Sequence, residues 1–462
     1  MNVGVCISSV VIASLVYGIF NIVLLKKQQT TAYIKKSIPF LSIVFALIAL
    51  EIGGSMMLGT CEEAYSTGIF GLLYVLGISI GFLLLGLGFA AKMKAMNVES
   101  TLDLFEIKYK SPLIRTSASI LSIITVWGLL IGQITAAKSL IYAFGIHNDA
   151  IFVIISLCVI IYAVVGGLSA AGVTYQAQLI YTIVVFGGIF GFCLLKEPPS
   201  FIGDVFLNRT LFTGNSLSFS AIFASLVMPA LYYITDQEFA RPLFNITNKK
   251  TAAFSAISAS LFMLLFSLVP IYFGIKAKTL NLTIAEGVSP LIPVLKILTN
   301  DAVVILAVLG MAAALIAMID YYLWSISLSI THEVRLACKD MRENTMVDKI
   351  MVVLVGIVAI FATFCTTSNA IQILLYSYEL YDCCLIVPLL MSYFQTDLKK
   401  GSAIGAILAG LTSFILFNIF PMPFSGQIAS FALSFIGFYI GGWIETSLRR
   451  WQAIRRSRTC SI

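Results

Sequence analysis

The chain is a succession of apolar runs, most of them about twenty residues or longer, divided by short polar stretches rich in Lys and Arg. About 20 apolar residues in helical form cross a hydrocarbon core. On that measure the pattern predicts thirteen spans, over 3–25, 38–60, 66–91, 115–145, 149–166, 171–195, 217–236, 251–275, 302–331, 348–366, 369–394, 402–420 and 427–446. Several exceed the bilayer thickness, which predicts tilt or protruding ends. Only helices and closed barrels satisfy their backbones in lipid, and runs of this length are helical, so an all-α integral membrane fold is expected. The stretches between spans fall below the size of an independent domain, which leaves one membrane unit.

Composition agrees, with 59% hydrophobic and 11% charged residues against about 25% charged in ordinary soluble domains. The net charge of +7 would admit nucleic acid as a partner, but its distribution gives a plainer reading. With the N-terminus outside, twenty-three Lys and Arg fall on the cytoplasmic side, and only Lys196, Arg209, Lys276, Lys278 and Lys296 fall outside. That asymmetry predicts an N-outside, C-inside orientation, which an odd number of spans delivers. Met1 to Val5 carries no basic residue and Lys26 and Lys27 follow the first apolar run, so that run reads as an anchor rather than a cleaved signal. The basic tail around Arg449, Arg450, Arg455, Arg456 and Arg458 suits anionic lipid, with no need of nucleic acid. Nine scattered Cys and two His offer no metal-ligand spacing and no disulfide framework. No metal and no cofactor are expected.

Ionisable groups deep in a span are costly and usually functional. Five qualify: Glu51, Lys138, Asp320, Glu379 and Asp382. Glu51 immediately precedes Ile52, Gly53 and Gly54; two glycines beside a buried acid weaken a helix where backbone groups can face a ligand. Close helix packing is the alternative use of the same glycines. The seventh span carries Pro229 followed by Leu231, Tyr232 and Tyr233. Interruptions five spans apart are the pattern of inverted repeats with a site near the midplane. Glu379 and Asp382 share a helical face, and two carboxylates so close cannot both ionise cheaply, so one can hold a proton. Lys138 can instead lock one of these acids in a structural pair.

Four stretches carry a likeness to a known family. Thr101-Leu102-Asp103-Leu104-Phe105-Glu106-Ile107-Lys108-Tyr109 is similar to a Thr-x-x-Glu-Phe-x-x-x-Arg-Tyr element, one residue shorter. Tyr162 through Gly166-Gly167-Leu168, Ala170, Thr174 and Gln178 looks like Gly-Gly-Leu-x-Ala-x-x-x-Thr-Asp-x-x-Gln. Asp236-Gln237 with Arg241 resembles the end of a gating helix, and Ile330-Thr331-His332-Glu333 the Thr-x-Asp that closes a later core helix. Together they resemble the sodium:solute symporters, the group of proline, pantothenate, sialic acid and sugar transporters.

The resemblance implies a LeuT-type fold: an N-terminal flanking helix and basic loop at 1–37, inverted repeats over 38–195 and 196–400, and two flanking helices with a basic tail over 401–462. It implies alternating access by a symporter, with no enzyme activity, in the cytoplasmic (inner or plasma) membrane. Its solute site would draw on Glu51, Ser55, Met56, Gln133, Tyr232, Tyr233 and Glu379. The family's sodium site maps onto the carbonyls of Ala49, Ile52 and Ala314, but its hydroxyl pair falls on Ala317 and Met318, which offer no hard oxygen. Tyr175 stands where the family pattern has an aspartate. Against those losses stand Glu51, Asp320, Glu379 and Asp382, which makes H+ as well as Na+ a candidate coupling cation. Expected partners are a small polar solute, that cation and the lipid bilayer. The alternatives are a passive facilitator or channel, a transporter-like sensor, and a membrane enzyme, for which the loop positions of His147 and His332 offer no acid–base pair.

Overall fold

The computed structural model describes residues 40–89, 92, 96, 101–197, 218–235, 249–285, 287–337, 345–395, 397–420 and 425–459, with the helical backbone alone at 167–174, 249 and 453–459. Every regular element among them is helical. In chain order these are α1 (Phe40–Ala49), α2 (Thr60–Thr67), α3 (Leu72–Leu84), α4 (Asp103–Tyr109), α5 (Pro112–Tyr142), α6 (Asp149–Lys196), α7 (Phe219–Thr235) and α8 (Lys249–Phe266). There follow α9 (Leu268–Thr279), α10 (Leu291–Leu298), α11 (Asp301–Ala337), α12 (Thr345–Phe364), α13 (Ala370–Tyr381), α14 (Val387–Phe394), α15 (Lys400–Ile419) and α16 (Gly426–Thr459). Ten helical runs are long and apolar enough to cross a membrane, and α1 and α7 are shorter apolar helices.

The expected spans 149–166 and 171–195 are both found as apolar segments long enough to cross a membrane, Asp149–Gly166 and Tyr175–Lys196, on one continuous helix, α6. Its glycines do not break it, because apolar surroundings make an unbonded amide dearer than the roughly 1 kcal/mol a helical glycine costs. Two local readings change. Pro229 does not interrupt α7, which continues to Thr235; the tolerance of proline in membrane helices explains this. The Ile330–Glu333 stretch does not close α11, which runs on to Ala337. The anchor expected at 3–25 lies outside the described residues.

The chain forms two compact units. The first takes the described parts of Met1–Ser79, Val126–Ser216 and Ser255–Leu374, and the second those of Ile80–Thr125, Leu217–Phe254 and Leu375–Ile462. Each draws on both halves of the sequence, so this division is a different partition from the expected repeats.

In the first unit α9 lies against α2 with backbones in contact, because a Cβ on Gly274 would sit 2.3 Å from the Cys61 carbonyl oxygen. The Tyr65 hydroxyl donates to the Leu282 carbonyl at 2.6 Å and Ser289 Oγ to that of Leu58 at 2.9 Å, which pins the following loop to the same helix. Along α6 and α11, Trp324 Nε1 donates to the Ala163 carbonyl at 3.1 Å and Thr182 to that of Gly310 at 3.3 Å. In apolar surroundings such side-chain donors hold helices where hydrophobic burial gives no preference. Gly274→Ala is therefore expected to destabilise the protein by about 1–3 kcal/mol, the usual cost of overpacking. Gly187→Ala, with no atom within 4 Å of its new Cβ, should not lower the melting temperature in detergent and should raise it slightly, since Ala is the better helix former.

In the second unit α15 and α16 meet through glycines. A Cβ on Gly405 would sit 2.2 Å from the Gly437 carbonyl oxygen, and one on Gly441 2.0 Å from that of Gly401. Small residues four apart on both helices permit this approach. The short α4 buries Leu104, Phe105 and Tyr109. Arg115 reaches Asp103 at 3.3 Å and Glu106 at 3.6 Å, and the Tyr109 hydroxyl donates to the Pro388 carbonyl at 2.7 Å.

Candidate functional site

The first unit contains a broken helix centred on Glu51. α1 stops at Ala49, a turn occupies Leu50–Gly53, and helical structure resumes as a π turn over Ser55–Gly59 that leads into α2. The amides of Glu51 and Ile52 both donate to the Ile48 carbonyl at 3.0 Å, while Gly53 N donates to the Glu51 carbonyl at 2.7 Å. The resumed helix starts with amides that have no partner within the helix. Gln133 on α5 supplies one: its Oε1 accepts from Gly54 N at 3.1 Å and Ser55 N at 3.4 Å. Glu51, Ser55, Met56 and Gln133 are all buried, so four of the expected solute residues come together here.

Both glycines at the break are also closely packed. A Cβ on Gly53 would sit 2.7 Å from Met318 Cγ, and one on Gly54 would lie 2.1 Å from Leu315 Cδ2 and 2.8 Å from Ala136 Cβ. Close packing on α5 and α11 thus accompanies the break. The degenerate sodium residues fall in the same unit: Ala49 ends α1, Ile52 lies in the turn, and Ala314, Ala317 and Met318 are buried on α11. The side chains of Ala317 and Met318 bring no oxygen there.

Asp320, also on α11, is buried, and its Oδ2 accepts a hydrogen bond from the Tyr175 hydroxyl at 3.1 Å. Oδ1 has no partner among the described residues. Position 175, expected to have lost an acid, thus serves as donor to an acid on another helix. Lys138 requires a correction: it pairs at 3.3 Å with Asp149, at the start of α6, instead of an acid deep in a span. Its Nζ also lies 4.5 Å from the centre of the Phe364 ring. An ammonium near a helix end reaches an exposed carboxylate such as Asp149 at less desolvation cost than a fully buried one.

The second unit gathers tyrosines. Tyr232 lies 5.8 Å from Tyr233, 4.5 Å from Tyr378 and 5.1 Å from Tyr381, measured between ring centres. The Tyr381 hydroxyl donates to the Thr235 carbonyl at 3.3 Å. Glu379 is buried on α13, with the Gln427 side chain in hydrogen-bonding reach. Gln427 Oε1 itself accepts from Ser220 at 2.9 Å and Ser425 at 3.1 Å. Asp382 opens a π turn, Asp382–Ile386, between α13 and α14. Sequence reading missed Tyr378, Tyr381, Gln427 and this second helix distortion. The concentration of tyrosines over 376–381, in an otherwise apolar run, was the available signal.

The remaining motif positions divide. Gln178 and Thr331 are buried. Asp236, Gln237 and Arg241 lie outside the described residues, as do the side chains of Gly167, Leu168, Ala170 and Thr174.

Among the described residues, a helix broken at a buried acid and ten helical runs long and apolar enough to span a bilayer are the architecture of the LeuT-type fold. Residues 35–196 match the family model described as Sodium:solute symporter family. The chain is similar to a solved Na+-coupled sialic acid symporter in a substrate-bound outward-open state, with 16% identity, a TM-score of 0.69, and coverage of 96% of this chain and 97% of that one. It is also similar to Mhp1, a nucleobase-cation-symport-1 family transporter solved closed with bromovinylhydantoin bound, with 13% identity, a TM-score of 0.51, and coverage of 89% and 94%. No curated protein matches the sequence. Family match and fold together support a multi-pass secondary active symporter with a solute and a coupling cation as partners.

Proposed function

We propose that the chain moves a small polar organic solute by alternating access, coupled to H+ rather than Na+. The observation that carries this reading is the helix broken beside Glu51, where the amides of Gly54 and Ser55 donate to a buried side chain, Gln133. Such breaks supply backbone groups for solute and ion at mid-membrane. Glu51, Ser55, Met56, Gln133, Tyr232, Tyr233 and Glu379 are the residues proposed to contact the solute. Glu51, Asp320, Glu379 and Asp382 are the candidates for the coupling cation. The two repeats are assigned to 38–195 and 196–400, and the distribution of basic residues supports an N-outside orientation in a cytoplasmic or plasma membrane.

Two observations favour H+ over Na+. Ala317 and Met318 present no oxygen where the family's hydroxyls would stand, and buried carboxyls can load and release a proton. A thermal-shift screen of purified protein against amino acids, vitamins, sugars and carboxylates selects the solute, since a ligand bound to the folded state raises apparent stability. Uptake of that solute into proteoliposomes at fixed pH should then be equal with sodium, potassium or choline outside. Stimulation by sodium alone overturns the ion assignment. The missing sodium oxygens also suit a passive facilitator, which would equilibrate the solute without concentrating it.

Tyr232→Ala tests the second group. It removes the ring that touches Tyr233, Tyr378 and Tyr381, and should lower apparent affinity about tenfold, the equivalent of roughly 1.4 kcal/mol. Unchanged affinity and rate would mark Tyr232 as a packing residue.

A further inference from the structure

Asp382 sits in the second unit with 0% of its surface exposed, and neither carboxylate oxygen has a hydrogen-bond partner among the described residues. An unpaired buried carboxylate costs several kcal/mol, so something must neutralise it. Among the described residues, the elements packed on its π turn offer no cation at its level. From α13 comes Glu379, one turn earlier and of the same sign. From α7 come the phenols of Tyr232 and Tyr233, and the π turn itself adds the thiols of Cys383 and Cys384, which are weak donors. α14 contributes only Tyr393.

The charged residues described on α15 and α16 lie at another level. Gly410 is the α15 residue that meets the Cys383 backbone, whereas Gly401, next to Lys400, meets Glu445. From Gly401 to Gly410 is roughly 14 Å of helix. Lys400, Glu445, Arg449 and Arg450 therefore cluster away from the acid.

A bound metal ion would need several hard oxygen ligands. The side chains that flank Asp382 are thiols, phenols, the Ser430 hydroxyl beside Cys383 and one further acid, too few hard oxygens for such a cage, and a Cβ on Gly410 would come within 2.0 Å of the Cys383 carbonyl oxygen. A proton needs no ligand cage. It turns one carboxylate oxygen into a donor, and a π turn shifts the backbone hydrogen-bond register that such a donor can join.

We propose that Asp382 binds a proton in the resting protein and is the group that carries it during coupled transport. The carrier role rests on the symporter reading; proton binding does not. Glu379 and Gln427 are then positioning neighbours, and Asp320, with its Tyr175 donor, has a separate duty.

The test is infrared spectroscopy of the purified full chain at neutral pH, with and without 13C-aspartate, read at the carboxylic-acid C=O stretch. Wild type should show an isotope-sensitive band that persists in Asp320→Asn and disappears in Asp382→Asn with its gel-filtration profile and melting temperature retained. An isotope-sensitive band unchanged in folded Asp382→Asn overturns the proposal. If Asp382→Asn does not fold, labelled Asp320→Asn decides: a retained isotope-sensitive band supports the assignment, and its loss overturns it. Proteoliposomes separate the two claims. Asp382→Asn should lose accumulation driven by a pH gradient; retained accumulation overturns the carrier role. Failure of wild type itself to accumulate solute overturns the symporter reading and leaves the infrared result standing.

Discussion

Gln133→Leu is expected to abolish solute uptake while leaving a protein that still inserts in the membrane. The Gln133 oxygen accepts from two amides at the start of the resumed helix, at 3.1 and 3.4 Å. Leucine fills a similar volume but accepts nothing, which leaves Gly54 N and Ser55 N without this acceptor in a buried place. Each unsatisfied buried donor costs about 1–3 kcal/mol. The break would then relieve that cost by rewinding or by shifting, and either response moves Glu51 and Ser55. Gln133→Glu, which keeps an acceptor oxygen at the same reach, should restore part of the uptake. Solute binding by calorimetry checks the pair: wild-type affinity in Gln133→Leu would mean that the broken helix is structural and that the solute binds elsewhere.

The second large effect concerns the Tyr175–Asp320 hydrogen bond. Tyr175→Phe removes the one donor among the described residues to the buried Asp320 carboxyl, at 3.1 Å. A hydrogen bond to a charged group is worth about 1.5–3 kcal/mol, and its loss should lower the melting temperature accordingly. Asp320→Asn alone should cost less, because an amide still accepts from the phenol. In the double variant the losses should fall short of their sum, since residues in contact couple by about 0.5–3 kcal/mol. Strict additivity would mean that the two side chains do not interact in the working protein.

Much of the architecture was legible because a bilayer imposes simple rules. Apolar runs of sufficient length gave helices, and a buried acid next to Gly53 and Gly54 marked where α1 would stop. Its partner was harder to see. Gln133 lies seventy-nine positions from Gly54, and only the packing of α5 on the break brings them together. The misreading of Pro229 as an interruption has a physical cause in the surroundings of the helix. Pro229 and the Gly166–Gly167 pair would weaken a helix in water, yet helices persist through both because lipid offers unbonded backbone nothing in exchange. Conversely, the π turn at Asp382–Ile386 contains neither glycine nor proline. Its sequence signal was chemical, an acid among tyrosines and cysteines, and not conformational. Lys138 shows the limit of reading charges by depth alone, since its helix carries it close enough to the start of α6 to meet Asp149.

The central claim is that this chain couples the uphill movement of a solute to a proton gradient, and one measurement addresses it directly. Purified protein is reconstituted into sealed proteoliposomes, and the radiolabelled solute selected by thermal shift is followed under an inward pH gradient, an inward sodium gradient, or neither. The account predicts a transient internal concentration above the external one with the pH gradient, abolished by a protonophore and unaffected by sodium. Uptake that only equilibrates under every gradient, or that rises above equilibrium with sodium alone, would contradict it.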